Sequence, residues 1–133
     1  MSGEMADRLL AHSREQLPNE ACALLGGDVA SGHATALHLA RNIASSPFRY
    51  EVHPEDLVRI ILRIEAEGDG LVAIFHSHVT APAVPSRSDV RSAHYPVVHL
   101  LASLAVPEAD PTSAMRAWRL ESAAAREVGL SIR

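Results

Sequence analysis

The stretch Gly68-Asp69-Gly70-Leu71-Val72-Ala73-Ile74-Phe75-His76-Ser77-His78 decides how this chain folds. A Gly-Asp-Gly turn releases an apolar run of strand length that ends in polar residues, the pattern of a buried strand. Upstream, Pro54 opens a helix whose apolar stripe is Leu57, Ile60, Ile61 and Ile64. Glu55 and Asp56 suit its positive N-terminal end, and Gly68 stops it. Downstream, the Pro/Ser-rich stretch Ala81 to Ser88 is an ordered loop bracketed by apolar segments, and Val97 to Leu104 is a second strand. Farther out, Met5, Leu9, Leu10, Ala11 and Leu17 space a first helix over residues 4–17, which Pro18 ends. Glu20 to Gly26 is a short apolar strand, and residues 33–41 alternate after a Gly/Ser turn, so 20–41 is expected to be a hairpin. Met115 to Leu120 and Val128 to Ile132 are further strand candidates. Helices and strands mixed in this order predict a mixed α+β or α/β fold built around a sheet.

The length of 133 residues suits one domain, taken as residues 1–133. Aromatics are 4% of the chain while alanine supplies 22 residues, so the core must come from Ala, Val, Leu and Ile. All 12 basic residues are arginine, which excludes a lysine Schiff base or a P-loop lysine. A net charge of −4 argues against a nucleic-acid partner, which would need a basic face. No apolar run reaches the ~20 residues of a membrane span. The N-terminus lacks the pattern of a signal peptide, and a single cysteine cannot form an internal disulfide, so a cytoplasmic location is expected. Apolar residues carried on short elements point to a homodimer.

Eight histidines are the unusual part of the composition. In a strand, His76 and His78 project from one face with Ser77 on the other. Two imidazoles so placed make half of a metal site. A bare His-x-His is equally the pattern of one hydrogen-bonded boundary histidine and one facing solvent. Ser86-Arg87-Ser88-Asp89 has the form of a helix capping box, which would hold Asp89 rigidly near the strand end. Two histidine nitrogens and one Asp oxygen leave a fourth tetrahedral position open, as catalytic zinc sites require. Glu20, at the head of its strand, is either a solvated strand-end carboxylate or the base that such a site needs.

Glu20, then His76-x-His78, seven residues, Ser86, two residues and Asp89 resembles the full signature of the JAMM (MPN+) zinc metalloproteases. Pro18 to Gly26, Asn42 with Ser46-Pro47 and Tyr50, and Pro85 to Val90 resemble the short bacterial branch of CysO-cysteine peptidase-like enzymes. The resemblance covers residues 5–120. It implies a cytidine-deaminase-like MPN domain with a curved mixed sheet flanked by helices. It further implies one zinc ion held by His76, His78 and Asp89. Glu20 would take a proton from the zinc-bound water and pass it to the leaving amine, and Ser86 would donate to the oxyanion. The implied reaction is hydrolysis of a peptide or isopeptide bond after the Gly-Gly terminus of a ubiquitin-like or sulfur-carrier protein. The insertions with which larger members grip ubiquitin are missing, so poly-ubiquitin is not the expected substrate. Ala23 replaces an expected Gly, and its methyl is expected to narrow the groove beside the catalytic strand.

The alternative is a non-catalytic scaffold of the same fold, which would have no need of these five residues. A metal-free cysteine hydrolase would use Cys22, two residues after Glu20, although a small buried apolar role also suits that thiol. A metallo-β-lactamase-type site needs acidic and His residues directly after the His-x-His, where Val79-Thr80-Ala81 supplies none. His53 precedes a helix start, and His94 and His99 flank the strand after the loop, one of them a candidate to line the cleft. His12, His33 and His38 are expected on the surface or on strand faces. Trp118 is a core or interface anchor. The arginines, spread along the chain, are expected to be solvated, and Arg87, inside the motif loop, is the one to test for substrate contact.

Overall fold

A computed structural model describes residues 1–105 and 111–133. Its strands are β1 (Cys22–Asp28), β2 (His33–Ala40), β3 (Gly70–His78), β4 (Val98–Ser103), β5 (Met115–Glu121) and β6 (Ala124–Val128). They form one mixed sheet in the order β2-β1-β3-β4-β5-β6, in which only β3 and β4 are parallel. The expected β1–β2 hairpin is present. The helices are α1 (Gly3–Glu15), α2 (Pro54–Ala66), α3 (Arg87–Arg91) and α4 (Pro111–Ala114). Sequence periodicity had no means of detecting α4, which is a single turn.

Strand periodicity divides the core between the two faces of the sheet. On one face Ala23, Leu25, Phe75 and Leu100 pack against Met5, Leu9 and Leu10 of α1. On the other, Cys22 and Leu24 pack against Ile60 and Ile64 of α2. A Cβ on Gly26 would stand 2.9 Å from an Ile64 side-chain carbon, so glycine there lets α2 lie close to β1. The α2 start is capped by His53, whose Nδ1 accepts from the Glu55 amide at 3.2 Å. Gly68, at φ +79°, turns the chain out of α2 and into β3.

Two expectations at the ends are corrected. The last strand is Ala124–Val128 rather than 128–132. Ser122 and Ala123 both adopt positive φ and fold the chain straight back onto β5, so pairing is complete at Val128. Residues beyond it join the N-terminus instead, with Arg133 N donating to Met1 O at 3.1 Å and Gly3 N to Arg133 O at 2.9 Å. His12 is buried rather than on the surface, and its Nε2 donates to the Cys22 carbonyl at 3.2 Å. That bond satisfies a ring nitrogen enclosed between α1 and the start of β1.

Candidate metal centre

The site lies at the C-terminal end of β3, where the strand has turned from apolar to polar. His76 pairs with Cys22, so both side chains share the α2 face. Ser77 points the other way and pins the neighbouring strand. Its Oγ accepts from Ala21 N at 2.8 Å, and its own amide donates to Ala21 O at 3.0 Å. Glu20 is thereby set beside the two histidines. Its amide donates to Ser46 O at 2.9 Å, and its carbonyl accepts from Asn42 Nδ2 at 3.0 Å. Asn42 Oδ1 also takes the amides of Ala44 and Glu51, so this one side chain organises the segment that carries Tyr50. The Tyr50 ring stacks on His76 with centroids 4.3 Å apart and 19° between planes.

The other side is built by α3. Ser86 caps it, accepting from Asp89 N at 3.0 Å, while the Asp89 carboxylate accepts from Ser86 N at 2.9 Å. The capping box is therefore present and closes on the site. Asp89 Oδ2 stands 3.1 Å from both His76 Nε2 and His78 Nε2, and the two nitrogens are 3.2 Å apart. His76 is fully buried, and His78 and Asp89 nearly so. Glu20 and the two histidines also suit a cation, one ligand atom from each lying within 4.8 Å of the others.

The two imidazoles face an ionised carboxylate and are shifted in opposite directions. Burial pushes His76 down from its ordinary value, against the pull of Asp89. Burial also works against a charged His78, but its bonds to Asp89 and the Pro82 carbonyl outweigh burial and raise it. Burial would raise Asp89, yet the two histidines hold it well below the usual carboxylate range. Glu20 has no such partners. Burial pushes it up to about 7, opposed by His78, and its Oε1 meets no hydrogen-bond donor among the described residues.

The three atoms fit a small cation. His78 Nδ1 donates to Pro82 O at 2.7 Å, so in the neutral ring Nε2 carries a lone pair and faces the lone pairs of Asp89 Oδ2. Around a tetrahedral metal with bonds of about 2.0–2.1 Å, donor atoms stand roughly 3.3–3.4 Å apart. The observed 3.1–3.2 Å separations are close to that spacing. Nitrogen and carboxylate donors suit zinc and other first-row divalent metals.

Comparison with known proteins gives the family of the chain. Residues 2–121 match the family model described as prokaryotic homologs of the JAB domain. The chain belongs to this family. It is 37% identical over 109 residues to the desampylase of Haloferax volcanii, covering 77% of this chain and 78% of that one. It is 28% identical over 130 residues to the CysO-cysteine peptidase of Mycobacterium tuberculosis, covering 97% of this chain and 87% of the other. The solution structure of protein DSY2949 from Desulfitobacterium hafniense superposes with a TM-score of 0.88 at 27% identity, covering 99% and 90% of the two chains.

Among the other residues of this JAB-family chain, Ala23 departs from its expected place. Ala23 pairs with Phe75 on the α1 face, so its methyl points away from the site and leaves the groove unchanged. Cys22 shares the face of His76, but it is fully enclosed and burial pushes its thiol up to about 12, which removes it as a nucleophile. His33 and His94 are exposed, as is Arg87, whereas His99 is buried on the site's face of β4. Trp118 is a buried anchor with a use that sequence reasoning missed. Its Nε1 donates to Ala83 O at 2.9 Å, and Ser103 Oγ donates to Ala81 O at 2.7 Å. With His78 on Pro82 O, side chains of β3, β4 and β5 hold three consecutive loop carbonyls. No local signal could have found these pairs, because Trp118 lies 35 residues from Ala83.

Proposed function

We propose that this chain is a zinc metallopeptidase that hydrolyses the peptide or isopeptide bond after the C-terminal Gly-Gly of a ubiquitin-like or sulfur-carrier protein. The observation that carries the reading is the triangle of His76 Nε2, His78 Nε2 and Asp89 Oδ2 with the buried Glu20 carboxyl beside it. The relatives named desampylase and CysO-cysteine peptidase support the substrate class.

His76, His78 and Asp89 would hold one zinc ion per chain. Bound there, zinc supplies a Lewis acid that polarises the scissile carbonyl and makes water more acidic. Glu20 takes the proton of the attacking water. Burial, which raises this carboxyl, favours its taking up the proton. Glu20 then gives the proton to the leaving amine. Ser86 Oγ accepts the Asp89 amide, which leaves its own hydrogen for the oxyanion. Glycines in the substrate tail let it lie against the protein without a Cβ. The reading treats residues 1–133 as one catalytic domain working in the cytoplasm. A scaffold role is disfavoured because all five residues are retained and four of them are buried together.

The test is incubation of the zinc-loaded protein with a sulfur-carrier protein ending in Gly-Gly and extended by a short peptide. Mass spectrometry should show release of the carrier at Gly-Gly, abolished by a chelator and restored by zinc. An intact fusion, or cleavage indifferent to the chelator, would contradict the proposal.

A further inference from the structure

Two buried ring nitrogens near the site have no hydrogen-bond partner among the described residues, His76 Nδ1 and His99 Nε2. They are complementary. When His76 Nε2 faces a metal, the ring's proton must sit on Nδ1, which then needs an acceptor. A backbone hydrogen bond to Tyr95 engages the His99 ring, and Nε2 is the ring nitrogen left without a partner among the described residues, free to accept. The two rings lie on the same face of adjacent parallel strands, for His99 pairs with Ile74 and His76 is two residues farther along β3. Other nearby polar groups are engaged elsewhere. Tyr50 stacks on the flat of the His76 ring and does not meet Nδ1 in its plane. Trp118, which pairs with His99 on β5, donates its only N–H to Ala83.

We propose that His99 is a positioning residue for His76. Through one buried water, its Nε2 accepts the hydrogen on His76 Nδ1 and holds the ring in the tautomer and orientation that turn Nε2 to the metal. The inference rests on the zinc reading above. Neither nitrogen can be left dry and unpaired without a desolvation cost, so one bridge satisfies both.

The test measures zinc affinity by competition with a chromogenic chelator for the wild type, His99→Phe and His99→Gln. Loss of a hydrogen-bond partner behind a ligating histidine weakens metal binding about 10- to 100-fold, and His99→Phe should show that loss. His99→Gln keeps an acceptor oxygen and should recover most of the affinity, whereas a purely space-filling role would favour Phe. Affinity of His99→Phe equal to the wild type overturns the inference while leaving the zinc site standing. Absence of zinc binding in the wild type overturns both. Long-range proton–nitrogen NMR of the zinc-loaded wild type gives an answer even if His99→Phe does not fold. It should show His76 protonated on Nδ1, with that proton exchanging slowly. A His76 ring proton that exchanges as fast as that of exposed His94 overturns the proposal.

Discussion

Replacing Glu20 with Gln should make the metal-free protein more stable while nearly silencing it. The carboxyl is 3% exposed, and burial lifts it from 4.5 to about 7. Above pH 7 the folded protein must therefore hold a desolvated charge that the unfolded chain hydrates freely. At 1.36 kcal/mol for each tenfold change in proton affinity, the cost is at most about 3 kcal/mol. The sign follows from linkage. Between 4.5 and about 7 the folded state keeps a proton that the unfolded state has lost, so wild-type stability falls across that window and is level above it. Glutamine has no charge to bury. Its advantage should be absent below pH 4.5 and grow to its full value by about pH 7.5. For a chain of this size, about 3 kcal/mol corresponds to a rise of roughly 10 °C in melting temperature. Thermal unfolding in a chelator at pH 4.5, 6 and 8 measures it, and turnover of the zinc-loaded variant should drop about 100- to 10,000-fold. Equal melting temperatures for the two proteins at pH 8 would refute the buried-charge argument. Near wild-type turnover would refute the role of Glu20 as base.

Ser86→Ala should cost about 1 kcal/mol through loss of the α3 cap, and reduce turnover about 100-fold or more through loss of the oxyanion donor. The two effects separate in a denaturant melt and a rate assay. Trp118→Phe removes the donor to Ala83 and should destabilise by about 1–3 kcal/mol, with a weaker hold on the loop that carries Pro82. Zinc affinity of that variant should fall with it, since His78 is oriented by Pro82. Cys22→Ala should retain turnover, and native wild type should resist alkylation of its thiol until it is unfolded, as followed by mass spectrometry.

The central strand, the helix opened by Pro54 and the clustering of His76, His78 and Asp89 were legible because each rests on a local pattern. Leu71 to His78 shows its burial and its polar end in consecutive residues, and the Ser86–Asp89 box needs only a three-residue spacing. What stayed hidden depends on contacts across the fold. The side of the sheet taken by Ala23 follows from its register with Phe75, and no reading of residues 18–26 alone reveals it. His12 is buried because α1 lies over β1, where the Cys22 carbonyl meets its ring. The positive-φ turn at Ser122-Ala123 lacks the Asn-Gly signature that marks such hairpins, so the last strand was displaced by several residues. Asn42 and Tyr50 stood out in the sequence only by resemblance, and their work in placing Glu20 and covering His76 is visible only in three dimensions.

The most direct test of the account is the zinc content of the purified protein beside that of a His76→Ala/His78→Ala double variant, measured by elemental analysis after reconstitution and desalting. The account predicts one zinc per wild-type chain and none in the variant. A wild type that retains no zinc, or a double variant that retains as much as the wild type, would contradict it.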